Sequence, residues 1–494
     1  MEMLQKQFHN ISQEFFEITS ISKLTLKPRK LYRINIAYKT GVEITPRTVE
    51  VANAFGLGID KRHEFVIYDN LQLDLKPTSI VYITGDSGSG KSVLLRHLEH
   101  VMQPLNLNIE DVEVDDRKPL VETLGENLNE AIKLLSCVGL NDAFLFLRKY
   151  PELSAGQKYR YKLAKILEKT KKKEAVVFID EFCSLLDRET AKIVAYNFQK
   201  ICRKHKIGLI AATSHTDLLE DLKPDIYIYK SFGREVSVKY FKPSNFRSTC
   251  TILDKIKINE GSATDYRKLA AFHYRSHHIP SPRKIFKAVL NGKVVGVIVY
   301  SFPAPVTQGR KEAFGGKVPS IRLLNKVLST ISRVIVHPKY RSIGLGVKLV
   351  KETLPKASTP YVELIAVMAK YNPFAEKAGM KLVKIQLPSK KTLKIRDGLI
   401  KYGFKIDRIS SFLYNLHVLK KLSTKQVIEI KRLFILNPHP RIMKQIFKQK
   451  IFGGKAEYER KIMDLNLENL AKLIRIVGLL CQTKAYLFWK RENG

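Results

Sequence analysis

Gly85-Asp86-Ser87-Gly88-Ser89-Gly90-Lys91-Ser92 is spaced to hold phosphate. Glycines at 85, 88 and 90 let backbone N–H groups, Ser87's among them, approach phosphate oxygens with no Cβ in the way. Lys91 would reach the β- and γ-phosphates of ATP, and the Ser92 hydroxyl would be a ligand for Mg²⁺. Ile80–Ile83 precedes the loop and Val93-Leu94-Leu95 follows it. The loop therefore joins a buried strand to a helix whose N-terminal dipole faces the anion. A second acidic site agrees. The apolar run Ala175–Ile179 ends in Asp180-Glu181, acids at the carboxyl edge of a parallel sheet, where open α/β folds bind ligands. There Asp180 would hold Mg²⁺, largely through water, and Glu181 would polarise the attacking water.

Between these two lies Leu153-Ser154-Ala155-Gly156-Gln157, which resembles the signature of ABC-type ATPases, usually LSGGQ. Ser184-Leu185-Leu186-Asp187 resembles the D-loop of that family, and Ala212-Thr213-Ser214-His215, after the run 207–211, resembles its switch histidine. The resemblance implies a homodimer with two shared ATP sites. His215 would touch the γ-phosphate, and Ser154, Gly156 and Gln157 would reach the nucleotide of the other chain. Phe55 either stacks on adenine or packs on a sheet. Two departures stand out. Ala155 replaces a signature glycine, and no glutamine occurs between Pro104 and Glu152, where the Q-loop should lie. The cluster Glu113-Val114-Asp115-Asp116 stands there instead.

The second half carries another glycine-bearing turn. Ile331–Val336 is an apolar strand closed by His337-Pro338, and Lys339-Tyr340-Arg341-Ser342-Ile343-Gly344-Leu345-Gly346-Val347 leads into a helical run. Backbone N–H groups at a helix N-terminus make an anion cradle. Upstream, Ala288–Val299 alternates around Asn291-Gly292, a hairpin signal. The R-x-x-G-x-G turn resembles the pyrophosphate motif of GNAT acetyltransferases. Tyr361–Val367 resembles that family's next strand, and the segment from Asn372 to Met380 its late F-Y-x-K-x-G-F segment. The resemblance covers about residues 255–385. It implies acetyl-CoA held by Arg341, Ser342, Ile343, Gly344, Leu345, Gly346 and Val347, by the backbone near Val334 and Val336, and by Asn372. Ala375 stands where many relatives carry a tyrosine acid, so that role is either unfilled or moved to Tyr371. Glu363 is either the general base or an exposed strand carboxylate. His273 and His277 either line the acceptor side or lie on the surface. ATP and acetyl-CoA are expected to bind independently.

Such sites need a large scaffold, and 494 residues with 45% hydrophobic side chains supply several cores. These features predict an α/β protein in four parts. Residues 1–44 form an N-terminal extension, 45–240 a P-loop ABC-type ATPase domain, 250–387 a GNAT-fold acetyltransferase domain, and 388–494 a basic, mostly helical region. The net charge of +39 favours a polyanionic partner. In the tail, Ser423-Thr424-Lys425-Gln426 has a capping-box pattern, and Lys444, Lys448 and Lys450, interleaved with Phe447 and Phe452, form either a nucleic-acid surface or the solvated face of a packed helix. The five cysteines are scattered and form no CxxC pair, which argues against both a disulfide framework and a structural zinc site. No signal-peptide core or membrane-length apolar run occurs, so a cytoplasmic protein with no membrane partner is expected. The fusion resembles archaeal and phage ABC–GNAT proteins. It implies an ATP-hydrolysing, acetyl-CoA-dependent N-acetyltransferase whose dimer gates substrate binding, with RNA, tRNA included, favoured over DNA as the acceptor. The alternatives are a protein or small-amine acetyltransferase, or a nucleic-acid-associated ATPase whose GNAT domain only binds.

Overall fold

The apolar runs at 80–83, 176–179 and 208–212 are short and uninterrupted, as strands covered on both faces must be. In the computed structural model they are the centre of a six-stranded sheet. Its strands are β4 (Ile80–Gly85), β5 (Asn106–Asn108), β6 (Val176–Ile179), β7 (Gly208–Ala212), β8 (Ile226–Lys230) and β9 (Val236–Tyr240). Their order is β5-β6-β7-β4-β8-β9, parallel except for β9. The structure describes residues 15–26, 29–40, 44–58, 63–103, 105–170, 174–242, 249–273, 279, 281–367, 372–447 and 454–491. The chain divides into two units. The first is Met1–Lys257 with Ala288–Val295 and Val336–Leu345, and the second is Ile258–Lys287, Gly296–Ile335 and Gly346–Gly494.

In the first unit a three-stranded antiparallel sheet precedes β4, formed by β1 (Phe15–Leu26), β2 (Arg29–Thr40) and β3 (His63–Asp74). The expected boundary at residue 44 does not hold. Tyr32, Ile34 and Ile36 of β2 are buried in one core with Val81, Ile83 and Leu94, so the strand belongs with the six-stranded sheet in the first unit. The longer helices of this unit are α1 (Pro46–Phe55), α2 (Lys91–Val101), α3 (Leu128–Cys137), α4 (Ala155–Lys169) and α5 (Arg188–His205).

The second half is built on a seven-stranded sheet. Its strands are β10 (Lys257–Glu260), β11 (Pro282–Leu290), β12 (Lys293–Ser301), β13 (Leu328–Val336), β14 (Tyr361–Ala366), β15 (Lys381–Gln386) and β16 (Lys484–Lys490). The order is β10-β11-β12-β13-β14-β16-β15. Asn291 and Gly292 both take positive φ, 48° and 76°, the geometry of a two-residue hairpin turn. Strands β13 and β14 are parallel neighbours from Leu328 opposite Tyr361 to Ile331 opposite Leu364, after which β13 continues to Val336. Helix α6 (Leu345–Thr353) lies between them in sequence.

The division at residues 387 and 388 also needs correction. Strand β16 lies between β14 and β15, antiparallel to both, so the last element among the described residues lies inside the sheet. What lies between β15 and β16 is a helical bundle: α7 (Lys390–Ile400), α8 (Phe412–Lys420), α9 (Thr424–Leu436), α10 (Pro440–Ile446), α11 (Lys455–Met463) and α12 (Leu467–Leu480). It has its own core, with Ile395, Leu399, Ile430, Phe434, Ile462 and Ile474 buried together. Helix α9 starts at the expected capping box, where the Ser423 amide donates to Gln426 Oε1 at 2.9 Å. Phe447, read as part of a nucleic-acid surface, is buried and stacks on Tyr458. Lys448, Lys450 and Phe452 lie outside the described residues, as do Tyr371 and His277.

Candidate active site

Strand β4 delivers the phosphate loop. Gly85 has φ +136°, and a Cβ there would sit 1.9 Å from the Lys230 carbonyl oxygen; only glycine fits beside β8. Gly90 has φ +99°, and a Cβ would meet the Ile67 side chain at 2.5 Å. Lys91, at the first turn of α2, is nearly buried and donates to the Gly85 carbonyl at 3.1 Å and the Asp86 carbonyl at 2.6 Å. Its ammonium thus lies under the loop's own backbone. Ser92 is half-buried beside it, while Ser87 and Gly88 are exposed. The Ser89 hydroxyl is buried without a hydrogen-bond partner. An orphaned donor inside a cradle of amides, with an ammonium next to it, suits an anionic ligand, because unmet buried polar groups are costly. A Mg²⁺-bound triphosphate fits these residues, with Ser92 and Asp180 as the oxygen donors the ion prefers.

The acids lie two strands away in the sheet. Asp180 follows β6, its carboxylate accepting from the Glu181 amide at 3.0 Å. Glu181 takes positive φ (49°), and its Oε2 accepts the Ser184 hydroxyl at 2.6 Å. Ser184 lies 3.4 Å from the Thr213 hydroxyl, which in turn accepts the His215 amide at 3.3 Å. Tyr82 of β4 donates through its hydroxyl to the His215 carbonyl. Because β7 lies between β4 and β6, His215 follows the strand that separates phosphate loop from acids. All three segments therefore leave the same edge of one sheet. The sequence reading missed Ser184 and Thr213 as the hydroxyls that link Glu181 to His215, although both lie within motifs it had marked.

Ser154 caps α4, and its amide donates to Gln157 Oε1 at 3.0 Å. Gln157 therefore spends its acceptor on the helix start. Ser154 and Ala155 are exposed. A Cβ on Gly156 would meet the Leu185 carbonyl and the Leu186 side chain, each at 3.3 Å, so the signature turn packs directly on the turn after Glu181. Phe55 ends α1 and is 77% exposed. Tyr38 and Phe65, opposite one another on β2 and β3, are further aromatics in this unit that the sequence reading passed over. Asp115 accepts the Arg117 amide and pairs with Lys118, which holds its carboxyl below the usual range.

The second half departs further from expectation. Glu363 is neither exposed nor available as a base. It is fully buried, its oxygens taken by Arg310 at 2.9 and 2.6 Å, Thr330 at 2.6 Å and Tyr486 at 2.9 Å. A carboxylate with four donors and no solvent has no lone pair left for an incoming proton. Arg341 is likewise not directed at a ligand, since its guanidinium donates to the Val336 carbonyl at 2.9 Å and to the Asn141 carbonyl. Ser342 and Gly344 have positive φ, 73° and 97°. Ile343 and Leu345 bury their side chains, so only their amides could serve. Val334, Val336, Gly346 and Val347 are half-buried, and Asn372 is exposed.

The ABC transporter family profile matches residues 68–184. The methionine import ATP-binding protein MetN of Clostridium tetani is 27% identical over 209 residues, covering 35% of this chain and 63% of MetN. The alpha-hemolysin translocation ATP-binding protein HlyB of Escherichia coli is 28% identical over 182 residues, 30% of this chain and 25% of HlyB. This chain thus spans less than two thirds of these relatives. Among solved structures, the dimeric bacterial ABC transporter cassette MJ0796 superposes at a TM-score of 0.29 with 16% identity, covering 37% of this chain and 94% of the cassette. Among the described residues no helix is long and apolar enough to cross a membrane. The phosphate loop, the acids after β6 and the matched profile together make this segment an ABC-type ATPase domain.

Proposed function

We propose that the chain is an ATP-hydrolysing, acetyl-CoA-dependent N-acetyltransferase acting on RNA, and that it works as a homodimer. The observation that carries the transferase half is the parting of β13 and β14. The paired register of these parallel neighbours covers four residues, Leu328 to Ile331 on β13, while β13 runs on to Val336, and a pantetheine arm would lie along that continuation. The strand order and the positive-φ turn at Ser342 and Gly344 support the same reading. Charge favours a nucleic acid, and the transferase reading favours RNA over DNA. Residues 388–482 carry 21 basic against 7 acidic side chains, and single-stranded RNA loops expose base amines that a cleft could reach. The exposed signature turn at Ser154 and Ala155 is open to a second copy, which supports the shared ATP site. GNAT-type transfer needs little acid–base help, because the amine attacks the thioester directly.

One observation favours a second reading, in which the GNAT-like half senses acyl-CoA without transferring it. Glu363 is locked in an ion pair, and Ala375 carries no acid. The test is acetyl transfer from labelled acetyl-CoA to total RNA and to total protein in parallel. Label in RNA alone supports the proposal, label in protein alone supports the alternative acceptor, and label in neither supports the sensor.

A further inference from the structure

Within the first unit, one short segment of the chain's second half grips the ATPase machinery at two places. Lys339 Nζ lies 2.7 Å from Asp187 Oδ1 and 2.7 Å from Glu189 Oε2. The Tyr340 hydroxyl donates to the same Glu189 oxygen at 2.7 Å, and Asn197 Nδ2 donates to Ser342 Oγ at 2.9 Å. Asp187 is also the N-cap of α5, accepting the Thr190 amide and hydroxyl, and it closes the turn that begins at Glu181. The second grip is Arg341 on the Asn141 carbonyl. Two residues before Asn141, the Gly139 carbonyl accepts Arg160 Nη1 at 2.8 Å, and Arg160 Nε donates to the Gly156 carbonyl at 3.2 Å. The segment 339–342 therefore touches the acidic turn directly and the signature turn through Arg160.

The ammonium does a particular job here. Asp187 and Glu189 each direct an oxygen at one nitrogen, and without it two carboxylates would face each other at the start of a helix. Like charges so placed repel. Burial works against a charged Lys339, yet the two carboxylates outweigh it and raise its pKa. Burial also pushes the carboxyls of Asp187 and Glu189 up, but Lys339 and their hydroxyl donors more than reverse it and hold both low. Nothing in the chemistry of ATP requires a lysine from so far along the chain.

We infer that Lys339 is a positioning residue for ATP hydrolysis. It fixes Asp187 and Glu189, and through them the turn carrying Glu181 and Ser184, in register with the signature turn at Gly156. Its corollary, which rests on the acyl-CoA reading above, is that a ligand on the turn at Ser342 and Gly344 alters the ATPase rate. The independent binding expected from sequence then gives way to coupled sites.

The test separates the two claims. Lys339→Ala should lower kcat for ATP hydrolysis roughly tenfold with KM and nucleotide affinity unchanged, since the lysine touches neither the phosphate loop nor the nucleotide. Lys339→Arg, which keeps charge and reach, should restore most of the rate. An unchanged kcat in Lys339→Ala, a parallel loss of nucleotide affinity, or no rescue by arginine would each overturn the positioning role. Acetyl-CoA added to wild type should shift kcat, and the shift should vanish in Lys339→Ala. Acetyl-CoA that binds by calorimetry without moving the rate would overturn the coupling. If acetyl-CoA does not bind at all while the Lys339 effects hold, the acyl-CoA reading falls and the positioning role stands.

Discussion

Removing the charge of Glu363 should destabilise the second unit rather than reveal a catalytic role. The Arg310–Glu363 pair is 1% exposed on each side, and Glu363→Gln would leave the guanidinium buried with only the Ala304 and Pro305 carbonyls and a neutral amide. Breaking one side of a buried pair costs about 3–5 kcal/mol. That is roughly two to three and a half decades in the folding equilibrium. Arg310→Met should cost a similar amount, leaving a buried carboxylate with two hydroxyl donors. The double variant Arg310→Met with Glu363→Gln buries no charge, and the carbonyl of the introduced amide can still accept Thr330 or Tyr486. Its loss should therefore fall well short of the sum, by about 2 kcal/mol or more, within the range of coupling seen between direct partners. The chain has one tryptophan, Trp489, on β16 opposite Val362 of β14. Its emission during urea unfolding reports on this sheet alone. A Glu363→Gln protein whose transition stays within about 0.5 kcal/mol of wild type, in the range of ordinary surface substitutions, would refute the argument and make Glu363 a candidate base again.

Three further outcomes are expected. Glu181→Gln should bind ATP and stall, accumulating a closed dimer on size-exclusion chromatography in Mg-ATP; a strictly monomeric variant would count against the shared site. Gly85→Ala should lose nucleotide binding, since its Cβ would sit 1.9 Å from the Lys230 carbonyl; measured by fluorescent-nucleotide titration, wild-type affinity would contradict the cradle. tRNA binding across a salt series should fall with a log–log slope of about 0.7 per single-stranded phosphate contact, and be stronger than duplex DNA binding at equal salt. Equal binding of tRNA, duplex and heparin would leave the charge as a nonspecific surface property.

The phosphate loop and the acids after β6 were legible because each is local, a strand end and a turn whose residue types are dictated by one ligand. The hairpin at Asn291-Gly292 and the cap at Ser423 were legible for the same reason. What the sequence hid is long-range. Glu363 reads as a strand carboxylate until Arg310, 53 residues before it, and Tyr486, 123 residues after it, close over it. Strand β16 has no local mark that sends it between β14 and β15 across an entire helical bundle. Strand β2 pairs with β3 across α1, so a boundary drawn at the helix cut through a sheet. Arg341 shows the opposite failure. Its motif position suggested a ligand contact, but nearby carbonyls in the folded chain take the guanidinium first.

The central claim is that the second half holds acetyl-CoA on the turn at Ser342 and Gly344. Calorimetric titration of acetyl-CoA into wild type and Gly344→Glu tests it most directly, with ATP affinity measured on both proteins to show that the ATPase unit is intact. The variant adds bulk and negative charge where the pyrophosphate would lie. One saturable site per chain is expected in wild type and none in Gly344→Glu, with ATP binding retained. Equal acetyl-CoA affinity in the two proteins, or no binding to wild type, would contradict it.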